Sequence, residues 1–330
     1  MSAPRFNSPV LVLALFMLTG CFEGAPRNNP LDPQGENFQD AGGLTVEVTT
    51  FYAPRQGLDD VTVETDPGNF TGQTDANGEV FIPNLASGTY TIKASREGYA
   101  AQMATINITA GEFSTTALAL PGLPEFQKIQ VNTVHISRWW PPPQELFRLN
   151  VNVTLDDRDG LADLEEVWLE IPSFDYRTTL SPQTTPGSFS RLIQGDSLPA
   201  ALPALLGQDM FLYARDRSAT ISQSEKQAIF RVIETSPLAV SPRDLGLLDN
   251  NAPALSWEAT AINFPFTYTV DVVRVDNNIQ NLVRSIPDIS SDSTSIQVDA
   301  LETGEYFWTV SIVDAFGNSS RSREAGFRIP

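Results

Sequence analysis

The stretch Asp156-Asp-Arg-Asp-Gly-Leu-Ala-Asp-Leu-Glu-Glu166 crowds carboxylates into one short segment, and oxygen donors gathered this way suit a hard cation such as calcium. Laid on the EF-hand loop, Asp157, Asp159, Gly160 and Glu166 take the third, fifth, sixth and twelfth places, but the first place falls on Leu155. The segments on either side alternate like strands, whereas an EF-hand loop joins helices. We therefore expect a solvated acidic turn in which Asp157, Asp159 and Asp163 repel one another. Weak calcium binding by loop 156–166 is the alternative, and no metal ligand is assigned.

Other chemistry is limited by supply. His135 is the only histidine and Cys21 the only cysteine, which excludes His-Glu-x-x-His zinc sites and multi-histidine centres. A serine hydrolase would have His135 as its sole base, and neither a Gly-x-Ser-x-Gly elbow nor a phosphate loop occurs. On its strand, His135 reads as a structural or surface residue rather than a base or ligand. A glycosidase needs only two carboxylates, so the 40 acidic residues keep a carboxylate-based hydrolase open as a minor reading. No catalytic residue and no cofactor are assigned. Trp139-Trp140 stand before Pro141-Pro-Pro143. Adjacent strand residues face opposite ways, so one ring is expected outside the core, packed on the prolines or a neighbouring module, or stacked on a sugar or protein partner.

The elements that position these residues are strands. Twenty-four prolines and 21 glycines interrupt short β-branched runs over 330 residues, a pattern of two or three β-sandwiches rather than helices. The formal net charge of −19 is offset by no local Lys/Arg run, which disfavours nucleic acid and anionic headgroups as partners.

At the start, Arg5 precedes the apolar run Val10-Leu-Val-Leu-Ala-Leu-Phe-Met-Leu18, which is too short to span a bilayer and has the form of a signal-peptide core. It leads into Leu18-Thr19-Gly20-Cys21, which resembles the lipobox of bacterial lipoproteins. That resemblance implies a signal peptide over residues 1–20, cleavage before Cys21 and a lipid on its sulfur. The membrane is then a partner through the lipid on Cys21, and the address is the bacterial cell envelope, at the outer membrane. Loss of Arg5 would take the net charge from −19 to −20. Residues 22–43, rich in proline and glycine, read as a flexible tether reaching at most roughly 70 Å. Within it, Asn29-Pro-Leu-Asp-Pro33 is similar to an Asn-Pro-x-Asp-Pro element that follows the cysteine in many envelope lipoproteins.

Three modules follow. In residues 44–121, Thr74-Asp-Ala-Asn-Gly-Glu-Val-Phe81 puts an Asn-Gly turn before a strand, and Leu85-Ala-Ser-Gly-Thr-Tyr-Thr-Ile-Lys-Ala94 alternates. Asp-x-Asn-Gly, Leu-x-x-Gly-x-Tyr-x-Ile and Gly-Tyr in this order resemble the carboxypeptidase regulatory-like, transthyretin-like sandwich. Asp75 and Asn77 are read as turn formers rather than metal ligands. In residues 122–235, Phe147-Arg-Leu-Asn-Val-Asn-Val-Thr-Leu155 is the strongest alternating strand, and its passage through the acidic turn resembles an immunoglobulin-like sandwich. In residues 236–330, Leu255-Ser-Trp257, Tyr268-Thr-Val-Asp-Val272 and Leu301-Glu-Thr-Gly-Glu-Tyr-Phe-Trp-Thr-Val310 resemble a fibronectin type III sandwich. That likeness implies Trp257 in the core and Tyr306 at the corner closing the Greek key. The ends of the second and third modules also resemble each other, each running aromatic strand, Asp, Ser-rich turn and Phe-Arg.

The expected protein is all-β, three tandem β-sandwiches behind a lipidated tether, with 44–121 and 236–330 each long enough to fold alone. Its expected role is non-enzymatic: presentation of sandwich modules for protein binding or structural support. A glycan-binding accessory is the alternative.

Overall fold

The computed structural model describes residues 41–330, and the signal-peptide and lipobox readings, Cys21 included, lie outside them. The described chain is built of strands, with three short 3-10 turns and no α-helix. It divides into two compact units, one ending at Gly122 and the other running from Leu123 to Pro330.

In the first unit, Ala41–Thr50 pairs antiparallel with Glu79–Ala86 and parallel with Phe113–Leu120. A second sheet orders Thr71–Gln73, Thr62–Asp66, Gly88–Ser95 and Gln102–Ile108. The alternation of Tyr90, Ile92 and Ala94 places all three in the core with Leu44, Val46, Val48 and Ile82. The first strand starts at Ala41, inside the segment expected to be tether. Its two glycines hid it, because strand patterning depends on side chains. They are needed for close approach: a Cβ on Gly42 would lie 2.6 Å from Thr109 O, and one on Gly43 would lie 2.7 Å from the Phe113 ring.

The second unit holds two cores. One gathers Leu149, Val151, Val153 and Leu155 with Val167, Leu169, Leu212 and Ala214; the other gathers Trp257, Tyr268, Val270 and Val272 with Trp308, Val310, Ile312 and Phe327. Each is closed on one side by a small sheet, Leu164–Ile171 with Tyr176–Thr179, Phe211–Asp216 and Ile221–Gln223 in the first case, Ala254–Trp257 with Ala239–Ser241 and Ser295–Gln297 in the second. On the other side both share one ten-stranded sheet. The join is the parallel pairing of Ser319–Arg321 with Glu125–Ser137, Ser320 opposite His135. The segment expected as a module, 236–330, has a core of its own, and its sheet continues into that of residues 122–235. A main-chain ladder between strands far apart in sequence leaves no local signal.

The likeness of the two sandwich ends extends to their hydrogen bonds. Leu212 N donates to Ser224 Oγ and Ser224 Oγ to Glu225 O; Val310 N donates to Ser322 Oγ and Ser322 Oγ to Arg323 O. Asp216 Oδ1 accepts from Thr220 N, as Asp314 Oδ1 accepts from Asn318 N.

Candidate functional site

Trp139 and Trp140 follow the end of Glu125–Ser137, and both rings are exposed, at 61% and 78%. Both rings thus lie outside the core, one more than alternation requires, because the strand ends before the pair. Trp139 is held in place. Its Nε1 donates to Glu324 O at 2.8 Å, and the Arg323 guanidinium lies 4.6 Å from the ring centroid. It thus packs on the neighbouring sandwich as expected, while Trp140 is the more open surface.

Both rings line a groove of about 980 Å3. Arg138, Arg148 and Arg243 line it from one hairpin and a turn, and Arg321 and Arg323 from the strand end opposite. Two carboxylates also line it: Asp244, 3.3 Å from Arg243, and Glu324, 2.7 Å from Arg321. Arg148 Nε donates to Gln194 Oε1, and Arg138 Nε to Pro143 O. Burial, then repulsion from Arg138 and Arg321, lowers the Arg148 pKa from its ordinary value. A basic, aromatic-edged groove on a chain of net charge −19 is a local reversal of sign. No basic run occurs along the sequence, yet strand pairing gathers arginines from position 138 to position 323 in space.

Beside the groove, His135 is buried and stacked on Phe147 at 4.3 Å. Its Nε2 donates to Glu145 Oε2 at 2.9 Å, and Nδ1 is hydrogen-bonded with Ser320 Oγ, also at 2.9 Å. Serine, histidine and carboxylate are in line, the order of a hydrolytic triad. Ser320, however, is 0% exposed within the strand join, so no acyl group reaches its oxygen. The trio welds the two sandwiches, in keeping with the structural reading of His135.

The acidic turn departs from its expectation. Asp157 and Asp163 are buried, and both meet Asp216, which lies at the end of Phe211–Asp216 and is 0% exposed. One carboxylate oxygen from each lies within 4.8 Å of the others. Pairing of Leu164 with Asp216 brings them together. Asp159 stays half-buried and gives its backbone N–H to Asp157 Oδ1, and Glu166 turns away to Arg177 and Arg215. Burial, followed by the charges of Asp163, Asp216 and Asp159, overcomes the Asp159 hydrogen bond and raises the Asp157 pKa to about 6.

In the first unit, Asp75 Oδ1 accepts from Asn77 N and Glu79 N, both at 2.9 Å. These bonds lower the Asp75 pKa from its ordinary value, the Glu79 bond first. Gly78 has φ +81° and sits against Val48 O, where a Cβ would lie 2.3 Å away. Asp-x-Asn-Gly is thus a turn closed against the first strand, with its carboxylate used by the backbone. Residues 45–121 match the carboxypeptidase regulatory-like domain family. In the second unit, Trp257 is buried in its core, and Tyr306 Oη donates to Glu302 O at 2.8 Å to close the corner. Trp308, fully buried with its Nε1 bonded to Pro242 O, fills the same core.

No curated protein matches the chain. Among solved structures, it is similar to BcpA, the major pilin subunit of Bacillus cereus, at 9% identity and TM-score 0.29, covering 84% of this chain and 91% of that one. It is also similar to the FN1–FN3 domains of chicken CNTN1, at 12% identity and TM-score 0.31, covering 82% and 90%. A putative carbohydrate binding protein from Bacteroides uniformis is similar at 9% identity and TM-score 0.23, covering 58% of this chain and all of its own.

Proposed function

We propose that this chain is a non-enzymatic bacterial cell-envelope lipoprotein, held at the outer membrane by lipid on Cys21, whose second unit binds an anionic glycan in the arginine groove. The observation that carries the reading is Trp140, 78% exposed beside five arginines. An indole face stacks on the apolar face of a sugar ring, and guanidinium forks pair with carboxylate or sulfate. The overall negative charge works against acidic polymers elsewhere on the surface, so the groove is where one would dock.

The test is affinity electrophoresis of the full chain through gels containing acidic or neutral polysaccharides. Retardation by acidic polymers alone, weakening with salt, is expected. Trp140→Ala should weaken binding about tenfold, at the upper range of about 0.5–1.5 kcal/mol for one aromatic contact, and Arg148→Ala at least as much. Unaltered migration in every gel, or a Trp140→Ala variant that migrates like wild type, would overturn the reading. Retention of an acidic polypeptide in place of any glycan would move the groove to the protein-binding role.

A further inference from the structure

We propose that Asp157, Asp163 and Asp216 form a calcium site that ties the acidic turn to the end of the strand Phe211–Asp216. Three carboxylates, all buried, bring oxygens within 4.8 Å of one another. Proximity of acids alone would not make a site, but the oxygens of Asp157 add a second observation. Oδ1 accepts from Asp159 N, whereas Oδ2 is buried with no hydrogen-bond partner, on a residue only 6% exposed. A buried carboxylate oxygen without a donor forfeits its hydration and gains nothing in return. A cation among the three carboxylates restores what was lost.

The repeated sandwich end provides an internal comparison. Asp216 and Asp314 hold the same position in their strands, and each has Oδ1 bonded to the backbone four residues on. At Asp314 the remaining oxygen meets a cation: Arg231 Nη1 lies 2.6 Å from Oδ2, and Asn318 Nδ2 adds a bond at 3.0 Å. At Asp216, Oδ1 also accepts from the Ser218 hydroxyl and Oδ2 from the Thr220 hydroxyl, and an oxygen each of Asp157 and Asp163 lies within 4.8 Å. The same scaffold meets a guanidinium in one sandwich and two further carboxylates in the other. A bound divalent ion gives the second the balance the first already has.

The donor set selects the ion. All three ligands are hard oxygens, with no imidazole or thiolate among them, which disfavours zinc. They come from an irregular turn and a strand end. Calcium accepts such geometry and replaces its water with protein oxygens, whereas magnesium demands a near-ideal octahedron and keeps much of its hydration. Asp159, a ligand candidate by spacing, is not in the trio. Asp216 takes its place.

The experiment uses the full chain stripped with EGTA, with calorimetric titration of Ca2+, Mg2+ and Na+ and thermal melting at matched ionic strength. One calcium per chain is expected, with a melting shift of several degrees when free calcium reaches a hundred times Kd, and no such shift with sodium. Asp157→Asn and Asp216→Asn should abolish both heat and shift, while Asp159→Asn keeps them. Absence of calcium heat in the wild-type chain, which needs no variant, overturns the proposal. So does an equal shift with sodium, which would mean screening of mutual repulsion, or a calcium shift that survives Asp216→Asn in a folded variant.

Discussion

Removal of the Arg231 guanidinium tests how the two sandwiches of the second unit are joined. Arg231 Nη1 lies 2.6 Å from Asp314 Oδ2, and the Asp314 side chain is 0% exposed. Asp314 also accepts from Phe316 N, Asn318 N and Asn318 Nδ2. Asn318 Oδ1 in turn accepts from Thr133 N at 2.8 Å, and Thr133 Oγ1 donates to Arg231 O. The pair is thus the charged centre of a network joining the opening strand of one sandwich to a turn of the other. Breaking a buried pair by deleting one partner costs about 3–5 kcal/mol. The three donors that Asp314 retains should reduce this to about 2–3 kcal/mol. For a unit of this size each kcal/mol moves the midpoint about 2–4 °C, so Arg231→Ala should lower it by about 4–12 °C. Calorimetry of the full chain with a double-mutant cycle, Arg231→Ala against Asp314→Asn, isolates the coupling, expected above about 1 kcal/mol. Hydrogen exchange at Leu149 to Leu155 and at Tyr268 to Val272 reports whether both cores open together. An Arg231→Ala chain within about 0.5 kcal/mol of wild type, or wild-type cores that open independently, would refute the reasoning.

In EGTA, Asp157 should make stability depend on pH. Its folded pKa of about 6 lies above the ordinary 3.8, so the folded state holds the extra proton between these values. Stability should therefore rise as pH falls from 7 towards 4, with about 2 kcal/mol of relief at most. Asp157→Asn should be the more stable chain at pH 7.5 and lose that advantage near pH 4; denaturant melts at the two pH values with no change in the difference would count against it. Gly78→Ala forces φ +81° on alanine and places its Cβ 2.3 Å from Val48 O. It should cost about 1–3 kcal/mol or more and raise exchange along Ala41–Thr50, and unchanged protection there would show the turn is not closed as described. Cys21→Ser removes the thiol that would carry the lipid. The protein should then stay at its precursor mass or leave the membrane fraction, whereas a membrane-bound variant of wild-type mass would mean a different anchor.

Much of the fold is legible residue by residue because strand periodicity is local. Leu149, Val151, Val153 and Leu155 alternate in the sequence and all four are buried in one core. Tyr306 and Gly78 act within their own turns, closing a corner on Glu302 and a hairpin on Val48. What tertiary structure alone decided is which distant side chains meet. The acidic turn reads as solvated because Asp216 lies more than fifty residues away, and only the pairing of Leu164 with Asp216 buries Asp157 and Asp163 against it. The arginine groove is invisible in a chain without a basic run, since the parallel pairing of Ser319–Arg321 with Glu125–Ser137 is what brings Arg321 and Arg323 opposite Arg138 and Arg148. Alternation tells a strand which face to bury, but not which strand will lie beside it. Register between remote strands is set by the whole sheet, and charge follows register.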